Sequence, residues 1–118
     1  MTPNKQRIRK WVDALRSGEY RQGYHQLRNN EGFCCLGVAC DVAIRNGLDA
    51  GWVLDPDGGG AVLGEAMEMP LDVQRWFGID DSNPVPTKGG KGKTLAERND
   101  QGWSFKRIAD AIERKYLR

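Results

Sequence analysis

Long hydrophobic runs are missing from the chain, and their absence excludes two classes of protein. The longest uncharged and mainly apolar stretch, residues 32–40, is about half of the roughly 20 residues that a membrane-spanning helix needs. The basic residues from Lys5 to Lys10 lead into no apolar segment of the kind that a secretory signal contains. We therefore expect a soluble, cytoplasmic protein with no membrane partner.

Thiol and imidazole side chains are scarce. The chain has three cysteines and one histidine. An odd number of cysteines without an export signal favours reduced, buried thiols over a disulfide framework. The four candidate metal ligands, His25, Cys34, Cys35 and Cys40, contain no C-x-x-C pair and lack the spacing of a structural zinc site. We expect no metal and no cofactor.

The chain has no large excess of either charge. Its 18 basic and 16 acidic side chains give a formal net charge of +2, which offers no reason to expect a general DNA-binding protein. The distribution is uneven, since residues 1–28 carry +5, residues 29–87 carry −8 and residues 88–118 carry +5. The termini of compact domains often lie close together. A basic face that attracts an anion of modest size is therefore expected.

Two nucleotide-binding motifs are present only in incomplete form. The segment Lys88–Thr94 ends like a phosphate-binding P-loop, but Thr87 stands where that motif requires its first glycine, and no apolar strand precedes it. The glycines at 58–60 miss the dinucleotide fingerprint because Leu63 occupies the position of its last glycine. We expect neither a P-loop nor a Rossmann site, and we interpret 88–94 as part of a basic loop.

Hydrophobic periodicity predicts an α+β fold, mainly helical, with small antiparallel hairpins packed on a buried central helix. The predicted elements are helices over 4–17, 36–45 and 70–77, hairpins over 24–35 and 51–64, and a helix–turn–helix from 95 onward. Residues 80–93 have turn and linker composition, so we expect a flexible loop there. The whole chain, 1–118, is expected to form a single domain, and we also consider a homodimer.

Polar and aromatic side chains gather where the first hairpin enters the buried helix. Exposed backbone amides at a helix start favour anions, and aromatic rings, arginine and amide groups suit the base, phosphate and ribose of a nucleotide. The candidate ligand-binding residues are Gln22, Tyr24, His25, Arg28, Cys35 and Trp52, with Asn99 and Asp100 at the turn before the last helix. The alternative is that these are ordinary solvated residues.

A Cys–His pair is a second hypothesis for this region. A turn at 29–32 would pair Arg28 with Phe33, and strand alternation would then put His25 on the side of Cys34. A slip of one residue would move His25 to the other face.

The chemistry of such a pair depends on the thiols. A helix start lowers the pKa of a cysteine, so Cys34 or Cys35 would act as nucleophile and His25 as general acid and base. The protein would then be a metal-independent hydrolase or phosphodiesterase.

The last helix carries a pattern, G-x-S-x-x-x-I-A, that is common in the first helix of DNA-binding helix-turn-helix units. In those units the groove-reading helix follows a further turn, whereas this sequence stops after the helix. We expect no DNA binding through it.

Four segments are spread over most of the length of the chain: WVDALRSGEYRQG (11–23), FCCLGVACD (33–41), MPLDVQRWFGI (69–79) and LAERNDQGWSFKRIADAIE (95–113). The combination of RQG with CCLGVACD is distinctive. Through these segments the chain resembles a group of small, largely uncharacterised proteins of bacteriophages, prophages and their hosts. The polar members of the motifs are Gln22, Cys34, Cys35, Asp41, Asn99 and Asp100. Arg98 departs from the group's pattern, where an apolar residue is expected.

The resemblance implies a phage-type accessory or counter-defence protein that works in the cytoplasm of a bacterial host. By analogy with other small phage proteins, it would bind and sequester a small anionic nucleotide, such as a cyclic nucleotide immune messenger. The alternatives are an enzyme that cleaves such a nucleotide and an inhibitor that binds a host protein through its basic ends.

Overall fold

A buried helix lies at the centre of the fold in the computed structural model, which describes all residues from 1 to 118. The helices are α1 (Lys5–Arg16), α2 (Cys35–Arg45), α3 (Leu71–Phe77), α4 (Leu95–Asp100) and α5 (Phe105–Ile112), which continues as a π-helical turn (Glu113–Leu117). The strands are β1 (Arg28–Asn29), β2 (Gly32–Phe33), β3 (Trp52–Leu54) and β4 (Gly60–Val62). The α+β class expected from the sequence is confirmed.

The central helix is α2, in which every residue from Cys35 to Ala43 is buried. The first hairpin approaches it closely, because a Cβ atom at Gly37 would lie 1.8 Å from the backbone oxygen of Leu27. Only glycine fits at that position. The contact fixes the hairpin against the start of α2, where the Cys34 N–H also donates to the Leu27 oxygen at 3.1 Å.

The first helix, α1, forms where its apolar spacing predicts it. Asn4 caps it by accepting a hydrogen bond from the Arg7 N–H at 3.1 Å. Its buried stripe packs against α2 and α5, and consists of Ile8, Trp11, Val12 and Leu15. The start of α1 lies beside Leu117 and its end beside Phe105, so α1 and α5 run antiparallel. The two basic ends of the chain therefore do pack together.

The four strands form one antiparallel sheet in the order β2-β1-β4-β3. Arg28 pairs with Phe33, which is the register expected for a turn at 29–32 rather than the register slipped by one residue. The strands of this hairpin have only two residues each, fewer than the sequence indicated. His25 therefore lies outside β1, in a left-handed conformation with φ of 73°.

The first part of the loop over residues 80–93 is anchored to the domain, which its composition did not predict. Pro84 is buried, and its oxygen accepts the Leu95 N–H at 2.8 Å. The Met69 N–H donates to the Ser82 oxygen at 3.0 Å, and the Lys115 ammonium donates to the Val85 oxygen. Residues 87–93 are exposed throughout, and their flexibility stays a prediction.

Both helices of the C-terminal helix–turn–helix begin with a side-chain cap. Thr94 and Glu97 form a reciprocal capping box at the start of α4. Ser104, as expected, accepts the Arg107 N–H at 3.2 Å. The guanidinium of Arg98 lies 4.9 Å from the ring centroid of Trp103, so this departure from the motif packs on an aromatic face. None of the helices combines the length and apolar content needed to cross a membrane.

Candidate functional site

Asn99 joins two other predicted site residues, Gln22 and Cys35, in the interior. Its side chain is completely buried, and its Oδ1 accepts from the Gln22 Nε2 at 3.0 Å and from the Cys35 N–H at 3.2 Å. Its Nδ2 donates to the Gly23 oxygen at 2.9 Å. We call these contacts the Asn99 network. Because both polar atoms of the amide have protein partners, the network ties the segment before β1 to the end of α4.

Asp100, the neighbouring residue, holds His25. The His25 N–H donates to Asp100 Oδ1 at 2.9 Å, and His25 Nδ1 lies 3.5 Å from Asp100 Oδ2. The imidazole is 77% exposed and Tyr24 is its aromatic neighbour, with 6.5 Å between ring centroids. Since His25 lies outside the strand, strand alternation does not direct it toward Cys34.

The three thiols are buried and reduced. Cys34 is the N-cap of α2, where its Sγ accepts the Gly37 N–H at 3.4 Å. Burial raises the pKa of Cys34 to about 11, and it also raises the pKa of Cys35 and of Cys40. The expected lowering of thiol pKa at the helix start is wrong, because desolvation outweighs the backbone N–H groups. No activated nucleophile results.

Arg28 and Trp52 lie against each other on the sheet. The Arg28 guanidinium is 4.9 Å from the Phe33 ring centroid and 5.4 Å from that of Trp52. The half-buried Trp52 donates its indole N–H to Asp41 Oδ1 at 3.0 Å. The indole N–H of Trp52 and one face of the Arg28 guanidinium thus already have partners within the protein.

Only one of the eight predicted ligand-binding residues, Gln22, lines any of the five surface cavities. Its cavity has a volume of about 450 Å³ and lies between the end of α1, the segment 18–22 and the start of α5. We call it the α1–α5 cavity. It is lined by Leu15, Arg16, Gly18, Tyr20, Gln22, Phe105 and Lys106.

One side of the α1–α5 cavity is apolar and aromatic. It is built from Leu15, Phe105 and the ring of Tyr20. The Tyr20 hydroxyl donates to Asp41 Oδ2 at 2.5 Å. The Tyr20 and Phe33 rings pack in an edge-to-face arrangement, with 5.1 Å between their centroids. Burial, together with the Asp41 carboxylate, raises the pKa of Tyr20 well above its ordinary value. Tyr20 is therefore a fixed, neutral aromatic surface.

The other side of the cavity is polar and positive. Arg16 is held by Asp110 at 2.7 Å, whereas Lys106 is exposed and has no carboxylate partner within 4.0 Å. The Gln22 Nε2 donates both to Asn99 and to the Trp103 oxygen, at 2.8 Å in the second case. These two bonds use the amide nitrogen and leave the Gln22 oxygen as an acceptor without a protein partner.

The largest cavity, about 590 Å³, lies along α1 and has a different character. Leu117 is its only hydrophobic lining residue, and the rest of its surface is polar or charged. It offers no aromatic surface to a planar ligand, so the α1–α5 cavity is the better candidate site.

The site residues predicted from the sequence do not include Arg16, Tyr20, Phe105 or Lys106. Two of them lie at or just after the end of α1, in WVDALRSGEYRQG, and the other two lie at the start of α5, in LAERNDQGWSFKRIADAIE. The missing information was the antiparallel packing of α1 on α5. The available local signal was an aromatic residue, Tyr20, shortly after Gly18, the glycine that follows the first helix.

The structure contains no group of three or more His, Cys, Asp and Glu side chains that could hold a metal ion.

The comparisons with known proteins give a family and no activity. Neither the curated proteins nor the solved structures include a match to the chain. A family model described as a domain of unknown function (DUF8296) matches residues 4–116, and the chain therefore belongs to this family.

Proposed function

We propose that the protein binds and sequesters a small anionic nucleotide in the α1–α5 cavity. The observation that carries this proposal is the lining of that cavity, which combines an aromatic face, an unpaired cation and a free amide oxygen. Its volume of about 450 Å³ falls within the range of small-molecule sites.

Each part of the lining has a role in this proposal. The Tyr20 ring and the edge of Phe105 contact the base, and the Gln22 oxygen accepts an N–H group from its edge. Lys106 attracts the phosphate. Asp110 and Glu113 already neutralise much of the Arg16 charge, so Lys106 supplies most of the attraction. A ligand of low charge fits this balance better than a polyphosphate.

Capture is favoured over cleavage by the positions of the candidate catalytic groups. The thiols of Cys34 and Cys35 are buried, and burial raises the pKa of both. His25 is 77% exposed and does not line the cavity. The side chains that do line it include no carboxylate, imidazole or thiol. This lining offers no general base.

The resemblance of the motifs to those of bacteriophage and prophage proteins adds a biological setting to the proposal. The ligand would be a nucleotide signal made in the cytoplasm of a bacterial host, and its capture would serve counter-defence. Cyclic mononucleotides and cyclic dinucleotides are therefore the first ligands to test.

The test begins with ligand recovery. The purified protein is mixed with individual cyclic and linear nucleotides, separated from free ligand, heated, and the released material is chromatographed. We expect one nucleotide class to be retained and released unchanged. New products would show that the protein cleaves the nucleotide and does not merely capture it. Retention of no nucleotide would refute the proposal and favour the alternative that the protein inhibits a host protein.

A variant pair locates the site by calorimetry. Lys106→Ala is expected to weaken binding of the retained nucleotide about tenfold, since a hydrogen bond to a charged group contributes about 1.5 kcal/mol or more. Arg21→Ala removes an exposed cation that lies outside the cavity lining and should leave the affinity within about twofold. Equal effects of both variants would mean general charge attraction without a site.

A further inference from the structure

A second cavity lies at the opposite end of α5 and has a lining of another kind. It has a volume of about 340 Å³. It lies between the π-helical turn and residues 87–93, which we call the exposed loop. We call it the basic cavity. It is lined by Pro86, Thr87, Lys88, Arg114, Lys115 and Arg118, so four of its six residues are cationic and none is acidic.

Most of these cations have no acidic side chain as an ion-pair partner. Within 4.0 Å, Lys88, Arg114 and Lys115 meet no acidic side chain, and only Arg118 forms an ion pair, with Glu113 at 3.3 Å. Like charges gathered around one cavity repel one another. An anion in the cavity would remove that repulsion.

Main-chain oxygen atoms hold two of the cations in place. The Lys115 ammonium donates to the Val85 oxygen, and the Lys88 ammonium donates to the Arg118 oxygen at 3.4 Å. The Val85 carbonyl positions the Lys115 ammonium without cancelling its charge. Both ammonium groups are therefore already placed at the cavity before a ligand arrives.

The exposed loop next to the basic cavity adds further cations and a closed turn. The Gly90 N–H donates to the Thr87 oxygen at 3.1 Å, and the Thr87 hydroxyl donates to the Lys91 oxygen at 2.7 Å. This turn contains Lys88, and Lys93 follows it. The segment that fails the P-loop pattern thus contributes side-chain charge to a cavity.

The basic cavity has no aromatic or large apolar surface for a nucleoside. Its charge is instead spread over several cations, which suits a ligand with several adjacent negative groups. We propose that the basic cavity binds linked phosphate groups, as in pyrophosphate or tripolyphosphate, through Lys88, Arg114 and Lys115. This site is separate from the one in the proposed function and does not depend on it.

The probe for this proposal is inorganic pyrophosphate, titrated into the full chain by calorimetry at low ionic strength. Arg114→Ala and Lys88→Ala are each expected to weaken pyrophosphate binding about tenfold. Lys115 is not chosen because its ammonium also holds Val85. The matched control is Lys10→Ala, which removes an exposed cation of α1 outside the basic cavity and should change the affinity less than about twofold.

Two results would overturn the proposal. One is the same loss of affinity in Lys10→Ala as in Arg114→Ala, which would indicate unspecific surface charge. The other is binding of a single-stranded oligonucleotide, but not of pyrophosphate, through Lys88 and Arg114, which would indicate a nucleic-acid surface. Circular dichroism checks that each variant is folded. Failure of nucleotide capture at the α1–α5 cavity would leave the pyrophosphate result unaffected, so the two proposals fail separately.

Discussion

At the scale of single residues, Asn99 shows why a polar motif residue can be structural. It is completely buried and bonds to Gln22, Gly23 and Cys35. Asn99→Ala would leave several buried polar groups unpaired, each at about 1–3 kcal/mol. We expect the free energy of unfolding in urea to fall by about 3 kcal/mol or more. Gln101→Ala, at an exposed position in the same turn, should stay within about 0.5 kcal/mol of wild type, and equal stability of the two variants would contradict a structural role.

The cysteines lead to a prediction about thiol reactivity. A shift in the pKa of Cys34 from 9.0 to about 11 lowers its thiolate fraction at neutral pH about a hundredfold, and burial also blocks access. Native protein should therefore react slowly with a thiol reagent, with Cys34 first, and all three thiols should react at once in denaturant. Rapid labelling of Cys34 or Cys35 in the folded protein at pH 7 would restore the enzyme hypothesis.

At the scale of elements, Glu113 connects α1 to the end of α5. It accepts hydrogen bonds from Arg9 at 2.7 Å and from Arg16 at 3.4 Å, which lower the pKa of its carboxyl group to about 2. Because this pKa is lowered on folding, the Glu113 carboxylate adds to the free energy of unfolding above about pH 4.5. That contribution is lost as the pH falls from about 4.5 toward 2. Thermal unfolding of Glu113→Gln should therefore lack part of the acid destabilisation of wild type in that range. Glu19→Gln, which removes an exposed carboxylate without an ion pair, should follow the wild-type curve.

The elements also show what the sequence could and could not predict. The helix α1 follows from a local signal, the spacing of its apolar residues. The pairing of Arg28 with Phe33 is the one that a turn at 29–32 would give, but the sequence did not exclude a slip of one residue. The α1–α5 cavity depends on the placement of Arg16 and Tyr20 near the start of α5, more than 80 residues later. Periodicity identifies the buried face of each helix but does not specify which helices pack together, so the cavity could not be derived.

The exposed loop is an element with a boundary that proteolysis can locate. Residues 82–86 are anchored by Pro84 and Val85, whereas residues 87–93 are exposed. Trypsin should therefore cut first after the lysines at 88, 91 or 93, and mass spectrometry of early fragments identifies the sites. Early cleavage at Arg75 instead would show that the loop is the more protected segment. Added pyrophosphate should slow cleavage after Lys88 if the basic cavity binds it.

At the scale of the whole molecule, packing of α1 against the last helical segment brings the two basic ends of the chain together. Two cavities with different linings lie along this segment, one beside Lys106 and the other beside Arg114. These residues are eight positions apart on one continuous helical segment, which corresponds to about 12 Å along its axis. Groups at that separation without shared partners usually contribute independently.

This separation leads to a prediction about the double variant Lys106→Ala/Arg114→Ala. The Lys106 change should weaken only nucleotide binding and the Arg114 change only pyrophosphate binding, so the double variant should show each single effect unchanged. Calorimetric titration of wild type, both single variants and the double variant with each ligand measures the coupling. Pyrophosphate added at saturation should also leave nucleotide affinity within about twofold, because screening at physiological salt limits the repulsion between two anions at this distance. Mutual exclusion of the two ligands would show instead that they share one site, with the nucleotide's phosphates reaching the end of the π-helical turn.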